Sequence, residues 1–297
     1  MSAFRAQLQA HDVPLGPLLK RASWPPLRDI AFDILMVVLA VAMARYSYAL
    51  APLAILMIGN RQRALGNLVH EGSHGNLHRS RQVNDAITRL LLAPALFASL
   101  SHYRTTHWKH HQHLGDNVLD PDHLHRMEGC ASPLQNYAYR VFSTRDWWAS
   151  LCGHLCVRDL PARSRVAIAL WWCGLASLLA ATIGLGSTGC FLLLWVMARA
   201  TAFHLILVFR EMCDHFGATH LTRDVLGNRL WAALIHPHNN GYHLTHHLMP
   251  SVPYYRLPAA QRLFSTLPIY GKRGRALSSY LRGKASVVAG WQTGSQA

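Results

Sequence analysis

Apolar positions along this chain gather into long blocks. From about Leu27 to Ile58 the sequence is dominated by Leu, Ile, Val, Ala and Met, with one break near Arg45-Tyr46. A hydrocarbon core takes about 20 helical residues per crossing. The run therefore predicts two membrane helices, over about 27–44 and 49–69, joined by a tight turn at Arg45–Tyr48. Two later blocks, 166–183 and 190–210, predict a third and a fourth span, with Gly184–Gly189 as an uncharged turn between them. The block at 83–100 is short and carries Asp85, Arg89 and Pro94. A re-entrant or interfacial helix suits it better than a crossing. The expected fold is all-α: a four-transmembrane-helix membrane protein with an interfacial helix and a histidine-rich helical cap, built as one domain over residues 1–297.

Composition and charge strengthen this picture. Of 297 residues, 51% are hydrophobic and only 14% charged, where soluble domains average about a quarter. The formal charge is +15. The two predicted outer turns hold one basic residue, Arg45, so the positive-inside rule places both termini and the polar segments in the cytosol. The remaining basic residues suit anionic lipid, or a docking face for an acidic electron carrier. They form no separate basic domain, so nucleic acid is not an expected partner. Cys130, Cys152, Cys156, Cys173, Cys190 and Cys213 include no CxxC pair and are expected as reduced thiols. Residues 1–26 are read as a cytosolic lead-in, without the pattern of a signal peptide.

The chemistry lies in the polar stretches beside the apolar blocks. HEGSH spans His70–His74, HWKHH spans His107–His111 and HLTHH spans His243–His247. On a helix, positions i, i+3 and i+4 share one side. His70 and His74, then His107, His110 and His111, then His243, His246 and His247 can therefore each converge. The span order puts all eight on one membrane face, and His215, just past the last span, joins them as a ninth. Imidazole suits zinc, copper, iron and nickel, and nine ligands are too many for one ion, so two metals are expected. Glu71, Asp116, Asp120, Asp122, Glu211 and Asp214 lie close to the boxes and can orient the imidazoles; each taken alone is equally a helix cap or surface ion pair. Asn239 or Asn240 can contribute beside the third box or simply form the turn before it. His78, His102, His113, His236 and His238 are expected to support the site or face solvent. His204, inside the fourth span, is expected either to mark function or to bond a carbonyl or neighbouring helix. His11, His123, His125, His154 and His220 are read as surface residues. Trp147, Trp148, Trp171 and Trp172 are expected at the membrane interface.

Three boxes in order, a further histidine after the last span, and the trailing HHLMPSVPYYRLP resemble the membrane fatty-acid desaturase superfamily. The resemblance covers nearly the whole chain to about Pro258. It implies two iron ions held mainly by histidines at these positions: His70, His74, His107, His110, His111, His215, His243, His246 and His247. It also implies dioxygen as co-substrate, an acyl or lipid substrate, and electrons from a separate ferredoxin- or cytochrome-type carrier. A bacterial inner membrane is the implied location. Glu211 departs from the pattern, since some desaturases carry Asn one turn before the fourth histidine. Glu211, Asn240, Asp214 and Asp122 are the expected supporting residues around the metals. The same site could instead serve hydroxylation, carotenoid-type ketolation, acetylenic bond formation or oxidative decarboxylation. A membrane transporter or sensor for metal, and a soluble di-zinc hydrolase, are the readings from other classes.

Overall fold

A computed structural model describes residues 2–124, 132–216, 222–273, 276–283 and 286–293, and these are all-helical, without named strands. Cys130, His125 and His220 lie outside the described residues. Short helices α1 (Ser2–Ala10) and α2 (Leu15–Leu19) precede the long pair α3 (Trp24–Tyr46) and α4 (Ala51–His74). Proline opens both long helices, at Pro25-Pro26 and Pro52, where its missing N–H costs no helical bond. α4 runs through the middle of the protein, and every residue from Ile58 to His74 except Gly66 is buried. Gly75, at φ 80°, ends it in the left-handed conformation that glycine tolerates.

The chain beyond α4 bends sharply. α5 (Arg81–Ile87) continues through a π-helical turn at Thr88–Leu92 and a short 3₁₀ turn, and is bent by 88° against α6 (Leu100–Gln112). The ends of α4 and α6 meet, with His74 and His107 nitrogens 2.9 Å apart. The 83–100 block is thus a bent pair of helices, whether a re-entrant segment or a broken span. Arg104 of α6 locks it in place. Its guanidinium donates to the carbonyls of Gly72 and Ser73 and pairs with Asp85 at 2.7 Å.

α7 (Pro133–Phe142) and α8 (Thr144–Cys152) lead into α9 (Ala162–Ile183). A second long helix follows, made of α10 (Leu185–Ala198), a π-helical turn at Arg199–Phe203 and α11 (His204–Asp214). By length and composition, Ala162–Ile183 and Leu185–Asp214 can each cross a membrane. The turn between them is tighter than the expected Gly184–Gly189. Gly184 alone, at φ 82° and ψ 159°, redirects the chain, and Leu185 already begins the next helix. α3 and α4 have the length of spans but carry charge in the halves nearer the histidines. Arg61 of α4 meets Asp33 of α3 at 2.8 Å, so these charges satisfy each other between the helices. Close approach at Gly59 joins the two long pairs, because a Cβ there would lie 2.6 Å from the Ala202 Cβ.

The C-terminal part comprises α12 (Arg229–Ile235), α13 (His243–Leu248), α14 (Leu257–Phe264), α15 (Pro268–Arg273) and α16 (Val287–Thr293). It returns to the N-terminus. The Phe4 ring meets the Phe264 ring at 5.1 Å, the Ile269 N–H donates to Gln7 at 2.9 Å, and Arg256 donates to the Lys20 carbonyl. The N-terminal helices and the segment α14–α15 therefore sit together, on the side that holds the histidines.

Candidate metal centre

The first box occupies the last turn of α4, the second the end of α6, and the third all of α13. His215 caps the C-terminus of α11. The nine histidines fall into two groups. His70, His74, His107, His111 and His246 form one; His110, His215, His243 and His247 form the other. Within each, the potential ligand atoms lie within 4.8 Å of one another.

Helical geometry explains the division. At about 100° per residue, positions i and i+4 point almost together, while i+3 diverges from i+4 by about 100°. Accordingly His107 and His111 enter the five-membered group while His110 enters the other. In the third box the assignment is reversed: His243 and His247 join the four-membered group and His246 the five-membered one. Each HxxHH box thus feeds both groups, and the adjacent pairs His110-His111 and His246-His247 are the points of division. The His111 and His247 rings lie 4.3 Å apart across that boundary.

The nitrogens are arranged as ligands. Nε2 of His107 lies 2.9 Å from that of His74 and 3.0 Å from that of His111, which lies 3.2 Å from that of His246. In the other group, Nε2 of His243 lies 2.9 Å from that of His215 and 3.1 Å from that of His247. An imidazole nitrogen carries one proton or one lone pair, so neither His107 nor His243 can hydrogen-bond both its neighbours. Ligand nitrogens about 2.1 Å from a first-row ion, at right angles, stand about 3 Å apart. His70 has both ring nitrogens buried and without a hydrogen bond. The residues therefore fit two cations, and the donor set, wholly imidazole, suits iron, zinc or copper.

Carboxylates stand behind several rings. The His110 Nδ1–H donates to Asp120 at 2.8 Å, leaving Nε2 free for the four-membered group. Burial opposes the charged imidazole, but the hydrogen bond to Asp120 and the Asp122 charge outweigh it and hold His110 above its ordinary value. Burial likewise opposes ionisation of Asp120, yet His110 and the Gly115 N–H keep its carboxyl below the usual range. Asp122 is more remote, 4.0 Å from His110. Glu71 lies 3.2 Å from His70 Nδ1 and accepts from the Tyr254 N–H and Asn76.

Around the last span, one arginine organises the expected supporting residues. Arg210 pairs with Glu211 at 2.5 Å and Asp214 at 2.6 Å, and donates to Asn240 at 3.0 Å. Arg63 donates to the same Asn240 oxygen at 3.2 Å. Asp214 faces His243 Nδ1 at 3.8 Å and accepts from His236 at 2.9 Å, and His236 in turn meets the Tyr280 hydroxyl at 2.8 Å. Glu211 belongs to neither histidine group. The spacing Arg210–Asp214 was a readable signal for this cluster, since i and i+4 charges meet on a helix. Arg104 and Asn84, which also brace the first box, carried none.

The other described histidines stand outside both groups. His204 is a structural residue. Its Nε2–H donates to the Val141 carbonyl at 3.0 Å and its Nδ1 accepts from the Ser150 hydroxyl at 2.7 Å. His238 pairs with Asp33 at 2.8 Å, and His154 accepts from the Ser99 N–H.

A family model described as fatty acid desaturase matches residues 46–278, a stretch that includes all nine histidines. A dihydrorhizobitoxine desaturase from Bradyrhizobium elkanii is 29% identical over 252 residues, covering 76% of this chain and 71% of that protein. The chain belongs to the fatty acid desaturase family, and it is a membrane oxidoreductase of the desaturase type.

Proposed function

We propose that this desaturase-family protein is a di-iron, dioxygen-dependent enzyme that introduces a double bond into a fatty acyl or similar lipid chain. The observation that carries the reading is the division of nine converging imidazoles into groups of five and four. Bound iron would supply the activation of dioxygen that removal of hydrogen from an unactivated carbon demands. The overall change takes two hydrogens from the substrate and two electrons and two protons from carrier and solvent, and returns two waters. The protein's own residues hold and aim the rings. Asp120 fixes the tautomer of His110, Asp214 faces His243, and Glu211, paired with Arg210, supports the cluster around His215. Electrons would arrive from a separate ferredoxin- or cytochrome-type carrier.

The arrangement as one domain with four spans, over α3, α4, α9 and α10–α11, belongs to the same proposal. The contact between the chain ends supports it, because an even number of crossings returns the C-terminal part to the N-terminal side. The apolar faces of these helices offer an acyl chain a path out of the bilayer. Both termini and the metal site would face the cytosol of a bacterial inner membrane.

Two measurements test the function together. Purified protein is expected to hold about two irons per chain, and a host expressing it is expected to accumulate an olefin of unchanged chain length. Because the Bradyrhizobium relative is named for dihydrorhizobitoxine, that compound belongs in the substrate panel beside fatty acids. A hydroxylated, ketolated, acetylenic or shortened product would reassign the outcome while keeping the site. Bound metal with no product from any substrate would favour a transporter or sensor.

A further inference from the structure

α7 carries an outward apolar face unsuited to water, although Tyr137 and Val141 pack inward and Gln135 is exposed. It buries Asn136 and Arg140, which are 3% and 9% exposed, while Leu134, Tyr139 and Phe142 are 71%, 52% and 83% exposed. The Arg140 guanidinium sits over the Phe216 ring, 5.9 Å from its centre. The next helix, α8, adds Trp148, 53% exposed. A soluble surface reverses this order, because apolar side chains gain by leaving water and arginine loses by leaving it.

The position of the hairpin explains the inversion. α7 and α8 pack along the last long helix at the level of its π-helical turn. The Trp147 indole N–H donates to the Ala200 carbonyl at 2.8 Å, Arg199 donates to the Leu151 carbonyl at 2.7 Å, and the Tyr137 hydroxyl donates to the Leu205 carbonyl at 3.2 Å. His204 bonds both helices, through Val141 and Ser150. About 20 residues counted from Leu185 fill a hydrocarbon core, which ends near residue 204. The contacts therefore fall at the membrane boundary on the side of the metal centre. The hairpin thus joins directly onto the last long helix, whose Leu205 is itself exposed, and Arg145 on α8, Arg158 in the loop after it and Arg163 at the start of α9 are exposed.

We propose that α7 and α8 form a hairpin embedded in the membrane surface, with Leu134, Tyr139, Phe142 and Trp148 among the acyl chains and the neighbouring arginines at anionic headgroups. The occupant of this face is lipid. Continuity with the membrane-crossing helices favours lipid over a protein partner, and basic residues along the rim complement an anionic bilayer. The proposal rests on the membrane reading of α9 and α10–α11, but not on the identity of metal or substrate.

Photocrosslinking of the full, iron-loaded chain in nanodiscs of phosphatidylethanolamine and phosphatidylglycerol tests it. Phe142→p-benzoylphenylalanine is compared with the same replacement at Leu178, on the exposed face of α9, and at Gln9, on α1. The expected result is a mass increase of one phospholipid at position 142, in yield comparable to position 178 and at least about tenfold above position 9. A crosslinked dimer at position 142, or no adduct there while position 178 captures lipid, would overturn the hairpin but leave the spans standing. Failure of position 178 to capture lipid would overturn the membrane placement beneath both.

Discussion

At the residue scale, the two histidine groups can be separated by mutation. His246→Ala removes a member of the five-membered group, and His110→Ala removes one from the four-membered group. Each is expected to lower iron from about two per chain toward one and to abolish product, because a site that loses a ligand binds its ion more weakly and with altered geometry. Elemental analysis of the two variants checks this, and full iron content in either would refute the ligand assignment. Asp120→Ala is the finer test. It leaves every proposed ligand in place but deprives His110 of its acceptor. Loss of such a partner costs about 10–100-fold in metal affinity, to be read by competition with a chelator. The convergence of the histidines within each box was legible in the sequence, because i, i+3 and i+4 spacing is a property of any helix. The pairing of His110 with Asp120 was half legible. The acid stood nearby in the chain, but only the turn at Gly115–Asp120 decides that Asp120 contacts the ring more closely than Asp122.

At the element scale, the position of the second box depends on how closely the returning segment packs against α4. The contact is made at Gly72, inside the first box. A Cβ there would lie 2.2 Å from the Thr88 hydroxyl oxygen and 2.7 Å from its methyl carbon. Asn84 fastens the same point by donating to the Gly72 carbonyl at 2.9 Å. Gly72→Ala is therefore expected to push the π-helical turn away from α4, destabilising the protein by about 1–3 kcal/mol, as overpacking does, and loosening His107 and His111 from His74. Thr88→Ala removes both closest atoms and should restore most of the loss in the double variant. Thermal melts and iron content of the single and double variants read both effects, and a double variant no better than Gly72→Ala would show that the clash is not the cause. Nothing in the sequence marked Gly72 as more than a spacer between two ligands. Long apolar blocks announced α9 and α10–α11 well, since lipid selects composition directly. α3 and α4 were less legible, because the latter part of α4 and the stripe of α3 packed on it are buried in protein, where paired charges such as Arg61 and Asp33 are tolerated. α7 was not legible at all. Its ten residues are too few to reveal which side faces lipid until the neighbouring span is known.

At the scale of the whole molecule, the parity of the crossings decides where the chemistry happens. α1 touches α14 and α15, and the loop before α3 is bonded to Tyr255 and Arg256. These contacts hold both ends of the chain on one side, so the crossings between them must be even in number. In the proposed topology, α9 with α10–α11 makes one pair and α3 with α4 the other. The bent segment from α5 to α6 must return, or the second box could not reach the first. Its return is visible in the contact of His74 with His107. Reporter fusions test this arithmetic in the membrane. A cytosol-active reporter at either terminus is expected to be active. An export-dependent reporter is expected to work only when inserted at Ser47 or Gly184, in the two turns farthest from the histidines. An active export reporter after residue 113 would mean that α5–α6 crosses. The first box would then lie on the opposite side of the bilayer from the second and third, and the five-membered group, which takes members from all three boxes, could not form.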